Sequence, residues 1–303
     1  MAAAACSSSE ALAIPELLEL ILGLLPPASL FFAGKVSVAW RAAARSLAGR
    51  QASWGGSELV SLCIAEGSEL VSLCIAEGSI QLLQLAHEND AAGLSERACA
   101  DAAEGGHLAV LQWLRAQGCP WDERTCAVAA RGGHLELLQW ARAQGCPWGK
   151  RTCAFAALGG HIALLQWARA QDPQCPWDTW TCADAARRGH LAVLQWARAQ
   201  GCPWDGYTCA WAAAGGHLEL LRWARTKGCP WGERTCARAA LGGHLVLLQL
   251  ARAQGCPWDW RTCAWAAASG HLELLQWAHA HGAPWDGCAG CEQATLSGHH
   301  AQR

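Results

Sequence analysis

Eighteen cysteines and twelve histidines are the residues of this 303-residue chain that could ligate a metal, pair as disulfides or shuttle protons. Their spacing decides among these chemistries. Histidine follows glycine at His107, His134, His161, His190, His217, His244 and His271; five of the six intervals are 27 residues and the sixth is 29. Histidines so far apart and so regular fall in separate units, as a ladder, and do not converge on one ion. Each is expected to satisfy the turn in which it sits. Cysteine recurs before Pro-Trp (Cys119, Cys146, Cys175, Cys202, Cys229, Cys256) and after Thr (Cys126, Cys153, Cys182, Cys209, Cys236, Cys263). A position kept by repetition points to packing, because free cysteine behaves as a small buried hydrophobe. A disulfide framework would suit a short secreted chain. Residues 1–10 have no basic start of a signal peptide, so mostly free thiols in a reducing compartment, cytoplasmic or nuclear or both, are expected. The Cys288-x-x-Cys291 pair, with His279, His281, His299 and His300 around it, has the residue types of a zinc site. Its histidine spacing matches no standard finger, and the segment reads as a decayed last repeat. No phosphate-binding glycine loop, nucleophile elbow or carboxylate pair appears. The expectation is a chain with no catalytic residues, no metal and no cofactor.

The elements that position these residues follow from the period. A fixed interval between 20 and 50 residues marks a solenoid whose units bury their faces against one another. In the unit from Trp121 to Pro147, Asp122 or Thr125 can cap a first helix, which runs through Cys126-Ala-Val-Ala-Ala130. Gly132-Gly133 ends it, since glycine takes the left-handed conformation at little cost. A second helix over 134–144 carries Leu135, Leu137, Leu138, Trp140 and Ala141 around most of its girth, as a helix packed on two sides does. Gly145-Cys-Pro-Trp148 returns the chain, and the proline stops the helix. The tryptophans of Cys-Pro-Trp and those of the second helix (Trp113, Trp140, Trp167, Trp196, Trp223, Trp277) read as repeat core. The 29-residue interval arises where Asp172-Pro-Gln174 stands in place of one loop glycine.

Composition bounds the rest. A 52% hydrophobic share supports burial, and a net charge of −2 gives no overall attraction to polyanions. No apolar stretch is long enough to cross a bilayer; the longest, Ile14 to Leu25, is broken by Pro15, Glu16 and Glu19. Residues 1–10 read as a disordered leader. In 11–50, Leu17, Leu18, Ile21, Leu24 and Leu25 recur at helical spacing behind Pro15, and Pro26-Pro27 ends the helix. Residues 51–92 read as a helical linker holding a tandem duplication, 56–66 repeated as 67–77, and a degenerate first repeat. Eleven residues make about three helical turns, so the insertion can preserve a buried face. Residues 93–303 form the repeat domain.

Two resemblances emerge from these residues. Thr-Cys-Ala-x-Ala-Ala-x-x-Gly-His-Leu-Glu-Leu-Leu resembles the ankyrin repeat, with a first helix one residue shorter, Cys-Ala in place of Pro-Leu-His, and a period of 27 in place of 33. It implies an all-α, ankyrin-like helix–turn–helix solenoid in which the tight Gly-Cys-Pro-Trp turn replaces the usual β-hairpin finger. Pro-Glu-Leu-Leu-x-x-Ile-Leu-x-x-Leu over 15–25, followed by Val36-Ser-Val-Ala-Trp40-Arg41, resembles an F-box. That resemblance implies a small helical module ahead of the solenoid, in which Pro15, Leu17, Leu18, Ile21, Leu22, Leu30, Val36 and Trp40 form or support a surface for the Skp-type adaptor of a cullin–RING ubiquitin ligase. Read without it, the same hairpin caps the open end of a solenoid.

Repeats also differ from one another, and the differences mark a face. Counted from the Cys-Pro-Trp tryptophan, offsets 3, 7 and 10 vary while their neighbours stay Thr, Cys or Ala. Spacings of four and three put them on one stripe of the first helix. Arg124, Val128, Arg131, Phe155, Trp180, Asp184, Arg187, Tyr207, Trp211, Arg238 and Trp265 are the candidate target-binding residues, with Trp260 beside them. Arginine and aromatic residues dominate interface energetics, and their excess here suits an acidic protein segment with aromatic or aliphatic residues. Nucleic acid would want lysine runs that are missing. The function expected is that of a substrate receptor in a ubiquitin ligase of this kind, or else a repeat scaffold or sequestering protein without that role.

Overall fold

A computed structural model describes residues 75, 78–88 and 95–285. The F-box-like segment, with Pro15, Leu17, Leu18, Ile21, Leu22, Leu30, Val36 and Trp40, therefore lies outside the described residues, as do most of the duplication and the Cys288–Cys291 pair. The described residues are helical, with no strand among them. They divide into two compact units, one ending at Trp121 and one beginning at Asp122.

The first unit contains α1 (Ile80–Glu88), α2 (Glu96–Glu104) and α3 (Leu108–Ala116). Helices α2 and α3 pack as a pair, and α1 lies on α3. Leu83, Val110, Leu111 and Leu114 are buried between them. The His87 ring meets Trp113 edge-on at 5.5 Å.

The second unit contains six helix pairs: α4 (Glu123–Gly132) with α5 (Leu135–Ala143), α6 (Lys150–Gly159) with α7 (Ile162–Ala170), α8 (Thr179–Arg187) with α9 (Leu191–Ala199), α10 (Gly206–Ala214) with α11 (Leu218–Thr226), α12 (Glu233–Leu241) with α13 (Leu245–Ala253), and α14 (Trp260–Ala268) with α15 (Leu272–Ala280). The first helices pack in sequence, α4 on α6, α6 on α8, and so on to α14, and each also packs on its own partner. Alanine makes this close row possible: Ala127, Ala129 and Ala130, and their equivalents up to Ala237, Ala239 and Ala240, are buried and let backbones approach. The second helices contribute pairs of buried leucines, such as Leu137 with Leu138 and Leu220 with Leu221.

The starts and stops are those the repeat sequence specifies. Asp122, Asp178, Asp205 and Asp259 cap their helices by accepting from the backbone N–H two residues on, at 2.9 to 3.1 Å. Such a cap contributes about 1 kcal/mol. Gly149 and Gly232 replace the aspartate in α6 and α12; at the latter the Thr235 hydroxyl accepts from the Gly232 N–H at 3.4 Å. Thr125, the alternative cap, is instead fully buried and its hydroxyl finds no partner among the described residues. Gly133, at φ 77°, makes the left-handed turn out of α4.

The tryptophans depart from the expectation of a core role. None of those at the Cys-Pro-Trp or second-helix positions is buried; Trp148, Trp167, Trp177, Trp196, Trp204, Trp223, Trp258 and Trp277 are half-buried. They pair edge-to-face within a repeat, the loop tryptophan against that of the second helix, Trp148 with Trp167 at 5.8 Å and Trp204 with Trp223 at 5.9 Å. The core positions between packed helices are already filled by Ala, Cys and Leu, so the large indoles tile the outside of the second helices. Arginine covers them: Arg142 lies 4.2 Å above Trp148 and Arg198 4.2 Å above Trp204.

Candidate functional site

The variable stripe lies on the row of first helices, and the structure resolves it into two ladders. At offset 3, Trp180 on α8 stacks on Tyr207 of α10, with ring centroids 5.9 Å apart and planes 29° apart. The guanidinium of Arg234 on α12 donates to the Tyr207 hydroxyl and stands 4.9 Å from its ring centre. Trp180 and Tyr207 remain 48% and 38% exposed. Further along, Arg261 of α14 pairs with Asp259 at 3.4 Å. Tyr207, Trp231, Glu233, Arg234 and Arg261 line a groove of about 500 Å³.

At offsets 7 and 10, cations and rings alternate. Arg187 of α8 lies 4.8 Å from the Trp211 ring centre on α10, and Arg238 of α12 lies 4.2 Å from the same ring. Arg238 also reaches Trp265 of α14 at 5.3 Å. Cation–π contacts at exposed sites contribute about 0.5–1 kcal/mol each. Here they also fix long side chains in advance, which lowers the ordering cost of binding.

Electrostatics sharpen the second ladder. Burial pushes the Asp184 carboxyl up to about 6, against the pull of Arg187 and with a small push from Asp178. Arg238 is held below the usual arginine range, first by burial and then by Arg187 and Arg234. Three guanidiniums thus crowd one region.

Of the sequence-derived candidates, Trp180, Asp184, Arg187, Tyr207, Trp211, Arg238 and Trp265 fall on these ladders. Arg124 and Arg131 are exposed on α4, and Phe155 is half-buried on α6. Val128 is not part of the face: it is 5% exposed and belongs to the core. Its short branched side chain is covered by neighbours that a tryptophan or arginine at that offset overtops. Arg234 joins the site although arginine recurs at offset 3, which by itself suggests a structural role. Its partner Tyr207, the one tyrosine of the chain, was the available signal.

The histidines and cysteines prove to be stitching. His161 Nε2 meets the Arg131 carbonyl at 3.1 Å, and His190, His217, His244 and His271 meet the corresponding carbonyls of Leu158, Arg187, Ala214 and Leu241 at 3.1 to 3.2 Å. Each therefore reaches back to the first helix of the preceding repeat, not merely to its own turn. The cysteines are buried free thiols throughout the described residues. A hydrogen bond to Cys146, and then burial, raises the Cys126 thiol above its ordinary value; Cys153, Cys182, Cys209 and Cys236 follow suit with Cys175, Cys202, Cys229 and Cys256. The Cys146 thiol in turn points at the Asp122 carbonyl, 3.5 Å away. Among the described residues no group of three or more His, Cys, Asp or Glu is placed to hold a metal. No helix among them is long and apolar enough to cross a membrane.

The fold and this face define an all-α stack of ankyrin-like helix–turn–helix repeats. No family model and no curated protein matches the sequence. Among solved structures the chain is similar to the human ASB11 ankyrin repeat domain, at 17% identity over 52% of this chain and 83% of that one, with a TM-score of 0.39.

Proposed function

We propose that this chain is a protein-binding receptor whose repeats hold a target along the first-helix stripe, while residues 11–50 dock the Skp-type adaptor of a cullin–RING ubiquitin ligase. The observation that carries the target-binding half is the pair of pre-ordered Arg–aromatic ladders on a scaffold of Thr, Cys and Ala. Repeats that keep most packing residues and vary one largely accessible stripe concentrate recognition there. Support for the adaptor half is the order of F-box-like residues from Pro15 to Arg41. A scaffold or sequestering protein would use the same stripe and lack only the adaptor contact.

A pull-down of the full chain against the Skp-type adaptor, beside a version lacking residues 1–50, separates the two. Binding lost on truncation, and lost again in Leu18→Asp with Trp40→Ala, is the expected result. An intact chain that leaves the adaptor unbound favours the scaffold.

A further inference from the structure

We propose that the target segment carries carboxylates that lodge among Arg187, Arg234 and Arg238, with an apolar side chain seated on the Trp180–Tyr207 stack. This rests on the stripe being the contact face, and it assigns chemistry to particular residues of that face. Two of these arginines approach one indole, Trp211, from the first helices on either side of its own, and the third is tethered to Tyr207. Among the described residues no carboxylate lies within ion-pair distance of any of the three, whereas Arg97 pairs with Asp101, Arg222 with Glu219 and Arg261 with Asp259. Asp184, the acid that Arg187 does feel, forms no ion pair with it. Cations held together by rings, with Asp205 and Glu233 lining the neighbouring groove but no acid paired to them, form a site in which an incoming carboxylate gains charge-assisted hydrogen bonds and relieves mutual repulsion. Arginine's planar fork suits carboxylate better than a point charge would.

Geometry also sets a register. Packed helices sit about 8–10 Å apart, and an extended chain advances about 3.3 Å per residue. A segment running across α8, α10 and α12 therefore presents about three residues per repeat, and its acidic residues recur at that spacing.

The test is fluorescence anisotropy of the full chain with a labelled synthetic peptide bearing glutamate at every third position and one phenylalanine. A second peptide carries glutamine for each glutamate. Binding of the first peptide, at least about tenfold weaker for the glutamine version and weakened by added salt, is expected. Arg187→Ala with Arg234→Ala, both exposed positions, should reproduce the tenfold loss with an unchanged far-UV circular dichroism spectrum. Equal binding of the two peptides, no binding of either, or full affinity in the double variant would overturn the carboxylate assignment. The broader reading is separable from it: if Trp180→Ala with Tyr207→Ala still strips co-purifying proteins from the chain, the face stands and only the acidic chemistry falls.

Discussion

Asp184 shows how one residue can oppose stability where it faces a binding site. Its carboxyl sits at about 6, against an ordinary 3.8, chiefly because burial disfavours the charge. The folded chain thus holds a proton there that the unfolded chain gives up earlier. Between those two values the folded form binds more protons, so stability from this group falls as pH rises from about 4 to about 6 and stays lower above it. Asp184→Asn removes the charge and keeps the shape. It should raise the thermal midpoint at pH 7.5, with a clearly smaller gain at pH 4.5. The same gain at both pH values would show that ionisation is not the cause. A destabilised acid at a ligand face fits a site arranged for charge supplied from outside.

At the scale of the element, the unit of construction is a turn of one repeat closed by a histidine of the next. The His271 ring accepts the role through the Leu241 carbonyl at 3.2 Å, and it stands where a side chain on Gly243 would be: a Cβ there would fall 2.6 Å from the ring. Gly243 also has φ +72°. Gly145, at φ +81°, has the same backbone conformation with nothing within 4 Å of its would-be Cβ. Gly145→Ala should therefore cost only the left-handed strain, about 1–2 kcal/mol, whereas Gly243→Ala should cost more because it also displaces His271. Chemical denaturation of the two variants measures the difference; equal losses would mean the ring contact stabilises nothing. The spacing of glycine and histidine was plain in the sequence, but the partner was not. A carbonyl 30 residues back becomes a neighbour only once the period has been wound into a stack. The tryptophans were obscured for the same reason. Their recurrence resembles that of Leu and Cys, and only the close alanine row shows that no interior volume is left for an indole.

For the molecule as a whole, the repeat pattern made most of the second unit legible, because each local signal recurs and each recurrence agrees. The helix boundaries in the Trp121–Pro147 unit fall within about one to three residues of those expected. The stripe was visible because the repeats act as comparisons for one another, and Val128 was misplaced because variability records tolerance and not exposure. A stack of this kind derives its stability from repeats and the interfaces between neighbours, roughly as a sum. Helix α14 shows the end of that sum: Ala264 and Ala267 are half-buried, whereas their equivalents Ala237 and Ala240 inside the stack are fully buried. Deleting residues 258–303 removes α14 and α15, erases the α12–α14 interface and uncovers Ala237 and Ala240. The shortened chain should keep its remaining helices, unfold at a lower urea midpoint and show a smaller m-value, since less surface is exposed on unfolding. An unchanged midpoint would mean that the last pair is held by the stack without supporting it. Coupling between neighbours would then be too weak for the ladders to act as one rigid face, and the pre-ordering of Arg187, Trp211 and Arg238 would have to be a property of their own three helices.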